Sequence, residues 1–109
     1  MPTGRLGTAN ITATTATTVY TVPTATFSVV SVNIVNRSSS ASALIRLAVS
    51  SSGTPSADEW IEFDSSLVSN GVLERTGIVM DAGKILVVQT TTSTPTLSVV
   101  VYGIETSTA

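Results

Sequence analysis

Residues 27–37, Phe-Ser-Val-Val-Ser-Val-Asn-Ile-Val-Asn-Arg, constrain the fold more than any other stretch. Val30, Val32 and Ile34 stand two apart with Ser31 and Asn33 between them, and side chains on a strand alternate between faces. A helical face would need apolar residues three and four apart. The stretch therefore reads as a long, half-buried strand of β-branched residues suited to a pleated surface. Everything else in the chain reads as strands for it to pair with and pack against.

Residues 1–10 read as an N-terminal arm or a first edge strand. Residues 17–23 form a strand that Pro23 ends, because proline cannot donate to a ladder. Residues 36–42 are turn formers. Beyond them Ala43, Ile45, Leu47 and Val49 alternate inward and Arg46 outward. So short a connection predicts a hairpin between 27–37 and 43–49. Residues 50–56 are a Ser/Gly/Pro loop, and a single helical turn over 56–59, capped by Ser56, is the one helical candidate. Residues 57–64 alternate acids with apolar side chains, placing Glu59, Ile61 and Phe63 on one face and Asp58, Trp60, Glu62 and Asp64 on the other.

Asn70-Gly71 is a strong turn signal, and 72–80 is a strand with Gly77 as a bulge. Asp81-Ala82-Gly83 turns the chain into 84–90, residues 91–95 loop, 97–104 form the last strand, and 105–109 are a polar C-terminal tail. Regularly spaced strands with turns between them predict an all-β fold. The expected architecture is a single antiparallel β-sandwich of about eight strands, jelly-roll-like or Greek-key. One domain, residues 1–109, fits the usual domain size.

Composition then excludes several functions. Histidine and cysteine are both absent, which removes Ser-His-Asp and Cys-His catalysis, disulfides and thiolate zinc sites. Arg5, Arg37, Arg46, Arg75 and Lys84 are dispersed and the net charge is −2, so no basic stripe tracks a phosphate backbone and no nucleic-acid partner is expected. No run approaches the roughly 18 apolar residues of a membrane span, and residues 1–7 lack an apolar signal core. A soluble product made in the cytoplasm, without a membrane partner, is the expectation. Charged residues are only 11% of the chain, against about 25% in a typical domain. Ser and Thr make up about a third instead, and a surface polar through hydroxyls suits a protein packed into an assembly.

The candidate sites are few. Asp58, Glu62 and Asp64 on one strand face could bind calcium through oxygen ligands or serve as glycosidase carboxylates; a solvated acidic face is the simpler reading, and no metal, cofactor or catalytic residue is assigned. Trp60, Phe63, Tyr20 and Tyr102 could form a sugar-stacking platform, against a simpler reading in which Phe63 is core and Trp60 packs at an edge or interface. Trp60 is the leading interface residue. Glu74 and Arg75, beside Gly77, are candidate inter-subunit ion-pair partners, and Arg5 and Tyr102 complete the expected interface set.

The segments Leu6-Gly7-Thr8-Ala9-Asn10-Ile11-Thr12 and Thr18-Val19-Tyr20-Thr21-Val22-Pro23, followed by Val32-Asn33-Ile34-Val35-Asn36-Arg37, resemble the opening of small β-sandwich virion structural proteins of tailed bacteriophages, cyanophages among them. Glu59-Trp60-Ile61-Glu62-Phe63-Asp64 and Asn70-Gly71-Val72-Leu73-Glu74-Arg75-Thr76-Gly77-Ile78 are similar to that group as well. The resemblance implies a non-enzymatic virion component. It would be a capsid decoration (cement) protein, a homotrimer contacting itself and the major capsid protein or other virion proteins. A tail, fibre or baseplate module is the alternative, and a glycan-binding module using Trp60 and Tyr102 is a reading of a different class.

Overall fold

In the computed structural model, which describes residues 3–108, eight strands follow one another with no helix among the described residues. They are β1 (Thr3–Ile11), β2 (Thr17–Thr21), β3 (Thr26–Asn36), β4 (Ala43–Ser50), β5 (Trp60–Leu67), β6 (Val72–Met80), β7 (Ile85–Thr90) and β8 (Leu97–Ser107). Two antiparallel four-stranded sheets result, ordered β1-β8-β3-β6 and β2-β7-β4-β5. The pairs β4–β5, β3–β6, β2–β7 and β1–β8 nest like one long hairpin rolled over on itself. Contacts β3–β8 and β4–β7 then close each sheet. This is the jelly-roll arrangement of a β-sandwich.

The organising strand behaves as its alternation demands. Val30, Val32 and Ile34 are at most 1% exposed and face an aliphatic core with Val99 and Val101 of β8 and Ile45, Leu47, Leu86 and Val88 of the second sheet. The expected hairpin between 27–37 and 43–49 does not form: β3 and β4 lie in opposite sheets. Asn36 turns the chain there. It is buried, its Nδ2 donates to the carbonyls of Ala41 at 2.9 Å and Leu67 at 3.2 Å, and its Oδ1 accepts from the Ser38 amide. These bonds fold 37–42 into a corner across the end of the sandwich. Among the described residues only β4–β5 is a hairpin of consecutive strands.

Residues 3–10 of the expected arm form an edge strand; Met1 and Pro2 lie outside the described residues. The expected tail is corrected. Glu105, Thr106 and Ser107 continue β8 opposite Ser28, Phe27 and Thr26, and the Thr108 amide donates to Ala25 O at 2.9 Å; Ala109 lies outside the described residues. Glu105 extends the inward series of β8 and is 6% exposed. There it accepts from the Tyr20 hydroxyl, which also pairs with Ser28 Oγ at 2.6 Å. A polar bridge thus joins the two sheets at one end of an otherwise aliphatic interior. Burial, and then the bond to Glu105, push the Tyr20 hydroxyl up to about 12.

The pairing among the inner strands β8, β3, β7 and β4 is in continuous register. Each edge strand, by contrast, slips against its neighbour. β1 slips between Arg5 and Gly7, β2 between Thr18 and Tyr20, and β6 around Gly77, where φ is +69°. β5 slips twice, once beside Ile61 and once at Phe63-Asp64. An edge offers unpaired backbone groups to any passing strand, and bulges twist it out of reach. The bulge expected at Gly77 is therefore one of a set guarding all four edges.

Backbone approach closes one flank between the sheets and a side chain the other. At the β1/β2 flank the backbones come so near that a Cβ on Gly7 would lie 2.3 Å from Val19 O. At the β6/β5 flank Arg75 forms an ion pair with Glu62 and donates to Ile61 O at 3.2 Å. Over the outer face of the second sheet, Ala48 and Val87 pair across β4 and β7 and are fully buried, yet lie outside the main core. The β4–β5 loop reaches this region, with Gly53 against Thr18 of β2.

Candidate functional site

Two surfaces stand out, one on the outer face of each sheet. The first is aromatic. Trp60 pairs opposite Ala48, and its ring lies 5.6 Å from that of Phe63 at an interplanar angle of 65°. Strict alternation would put these rings on opposite faces, since they are three residues apart. The two slips of β5, with Asp64 at φ +56°, bring both to the same side. Phe63, expected in the core, is 55% exposed.

Arg46 of β4 completes the cluster. Its guanidinium sits 3.9 Å over the Phe63 ring and 6.0 Å from Trp60, and it holds Asp64 in a bidentate pair at 2.7 and 3.2 Å. That pair keeps the Asp64 carboxyl below its ordinary range. Ala57, from the loop, walls a recess of about 410 Å³ with Trp60 and Phe63. The loop is locked by Glu59, whose carboxylate accepts from the amides of Ser56 and Ser51 and from Ser50 Oγ. Those bonds, the Ser56 amide foremost, pull the Glu59 carboxyl down to about 2. The helical turn expected over 56–59 is a simple turn closed by Glu59 N to Ser56 O.

The second surface is aliphatic. Ile104, Val29 and Val79 lie side by side across β8, β3 and β6, with Phe27 next along β3. They are 56%, 40%, 70% and 37% exposed in that order. Three expected interface residues share this face. Arg5 pairs opposite Tyr102, and the Tyr102 hydroxyl donates to Glu74 Oε2 at 2.9 Å. Arg75 points the other way, into the flank, and is engaged by Glu62 of its own chain. Trp60 belongs to the opposite sheet, so Trp60 and Tyr102 cannot share one sugar-stacking platform.

The acidic stretch is likewise dispersed. Glu59 serves the loop, Glu62 accepts from Ser65 and Arg75, and Asp64 faces Arg46. Among the described residues no group of three or more His, Cys, Asp or Glu is placed to hold a metal ion. The partnership of Trp60 with Phe63 was hidden because nothing in the local sequence marks a double bulge; the acid-serine run Asp64-Ser65-Ser66 is its only trace. No protein-family model, curated protein or solved structure matches the chain.

Proposed function

We propose that the protein is a virion structural component of a tailed phage, a capsid decoration (cement) protein that seats on the shell through the outer face of the β1-β8-β3-β6 sheet. The observation that carries the reading is the bare row Phe27, Val29, Val79 and Ile104. A contiguous exposed apolar patch marks a contact surface more often than chance. The bulged edges make strand addition between copies unfavourable and leave faces as the means of contact. A surface with few charges supports the same role, because ionic groups cost desolvation when buried in a contact. The resemblance of residues 6–37 and 59–78 to small phage virion proteins supplies the kind of particle. Contacts repeated around a symmetric shell would add through avidity, and self-association as a homotrimer belongs to this reading.

Antibody labelling and imaging of particles from producing cells tests it. Density on the shell is expected, with a sedimentation mass of three chains for the purified protein. Val29→Asp with Ile104→Asp, both at exposed positions, should leave a folded chain that no longer joins particles. Density on the tail would replace the cement reading by the tail reading, and purified particles lacking the chain would overturn both.

A further inference from the structure

We propose a second binding site, on the sheet opposite the assembly face: the recess of Trp60, Phe63 and Ala57 takes a neutral pyranose sugar, with Asp64 and Arg46 as its polar partners. Such a site goes beyond the assembly role and does not depend on it.

Three independent features converge. The chain has five aromatic residues, and two of them stand together on the surface while the core is built of Val, Ile and Leu. An exposed aromatic pair loses the burial that normally stabilises such rings. At 65° the two rings form a corner. A pyranose laid with its C–H face on one ring meets the edge of the other, and the recess volume of about 410 Å³ accommodates one or two sugar units.

The polar groups are the right kind for hydroxyls. Asp64 is ionised and oriented by its bidentate pair with Arg46, yet its side chain remains 37% exposed. Each carboxylate oxygen accepts one bond from Arg46 and keeps a further lone pair, so two vicinal hydroxyls can donate to it. Arg46 covers one face of Phe63, so the guanidinium and the Asp64 carboxylate it holds stand beside the recess that Ala57, Trp60 and Phe63 wall. The near balance of charge within the pair favours a neutral sugar over an acidic one.

The backbone is spent on this arrangement. Asp64 is one of few non-glycine residues held at positive φ among the described residues, a sparsely populated conformation that tends to cluster at sites. One slip of β5 would suffice to protect an edge; two are needed to turn both rings outward. Bulges re-aim side chains next to sites.

Trp60 is the one tryptophan of the chain, so its emission reports this recess alone. Titration of the intact protein with cello-, malto-, galacto- and chito-oligosaccharides should give a saturable change for at least one series. Phe63→Ala and Asp64→Asn should each weaken that binding about tenfold. Asparagine tolerates positive φ, so the second variant keeps the backbone even if the first fails to fold. Val72→Ala, at an exposed position of β6 on the far sheet, should leave the affinity unchanged. No saturable change with any neutral series, a response to acidic glycans only, or binding undiminished in Asp64→Asn would overturn the proposal.

Discussion

At the scale of single residues, polar side chains fasten loops and sheets of this sandwich, and Glu59 is the clearest case. Its carboxylate accepts from three groups of the β4–β5 loop, which depress its pKa to about 2. A depressed acid stabilises the fold above its unfolded pKa, and that contribution is lost as pH falls toward the folded value. The loop is therefore expected to loosen from about pH 4.3 down to about 2. Emission of the adjacent Trp60 should follow this acid transition in the native chain, and Glu59→Gln should abolish its pH dependence. Tyr20 makes the complementary case inside the core. Glu105 Oε1 has no hydrogen-bond partner among the described residues, so the Tyr20 hydroxyl is a principal donor to a carboxyl group out of reach of water. Tyr20→Phe should cost about 1–3 kcal/mol in denaturant unfolding. Tyr20→Phe with Glu105→Leu should recover most of the loss, because an apolar pair leaves nothing unsatisfied.

At the scale of elements, two glycines separate close approach from backbone freedom. A Cβ on Gly103 would lie 2.1 Å from Val29 O, against the backbone of β3. Gly103→Ala must therefore push β8 off β3, and the expected loss is more than about 4 kcal/mol. Gly77 stands at φ +69°, and a methyl added there would meet no described atom within 4 Å. Gly77→Ala should accordingly cost only about 1 kcal/mol of backbone strain. Thermal unfolding of the two variants side by side checks the contrast. The same distinction explains what the sequence made legible. Strands β3, β6 and β8 could be read because their alternation and the turns at Asn70-Gly71 and Asp81-Ala82-Gly83 are local features. The partner of each strand was not local: β3 pairs with β6 and β8, while its successor β4 is carried to the other sheet by Asn36. Phe63 was misplaced for a related reason, since a period of two cannot survive the slips of β5.

At the scale of the whole molecule, the rolled hairpin brings the two ends of the chain together as β1 and β8. The bulged β1 is all that separates β8 from solvent on that side. β8 itself pairs with β3 over eleven residues without a slip. Removing residues 1–11 would therefore replace a guarded edge by a long, regular one with Leu97, Val99 and Val101 along it. Regular apolar edges template pairing with other chains. The shortened chain should form β-rich oligomers or aggregates at concentrations where the full chain does not, as light scattering would record. Restoring residues 3–11 as a separate peptide should suppress that association, because the peptide re-forms the β1–β8 ladder. If the shortened chain stays dispersed, the straightness of β8 is not a hazard, and the bulges of β1 serve packing at the Gly7–Val19 flank instead of protection.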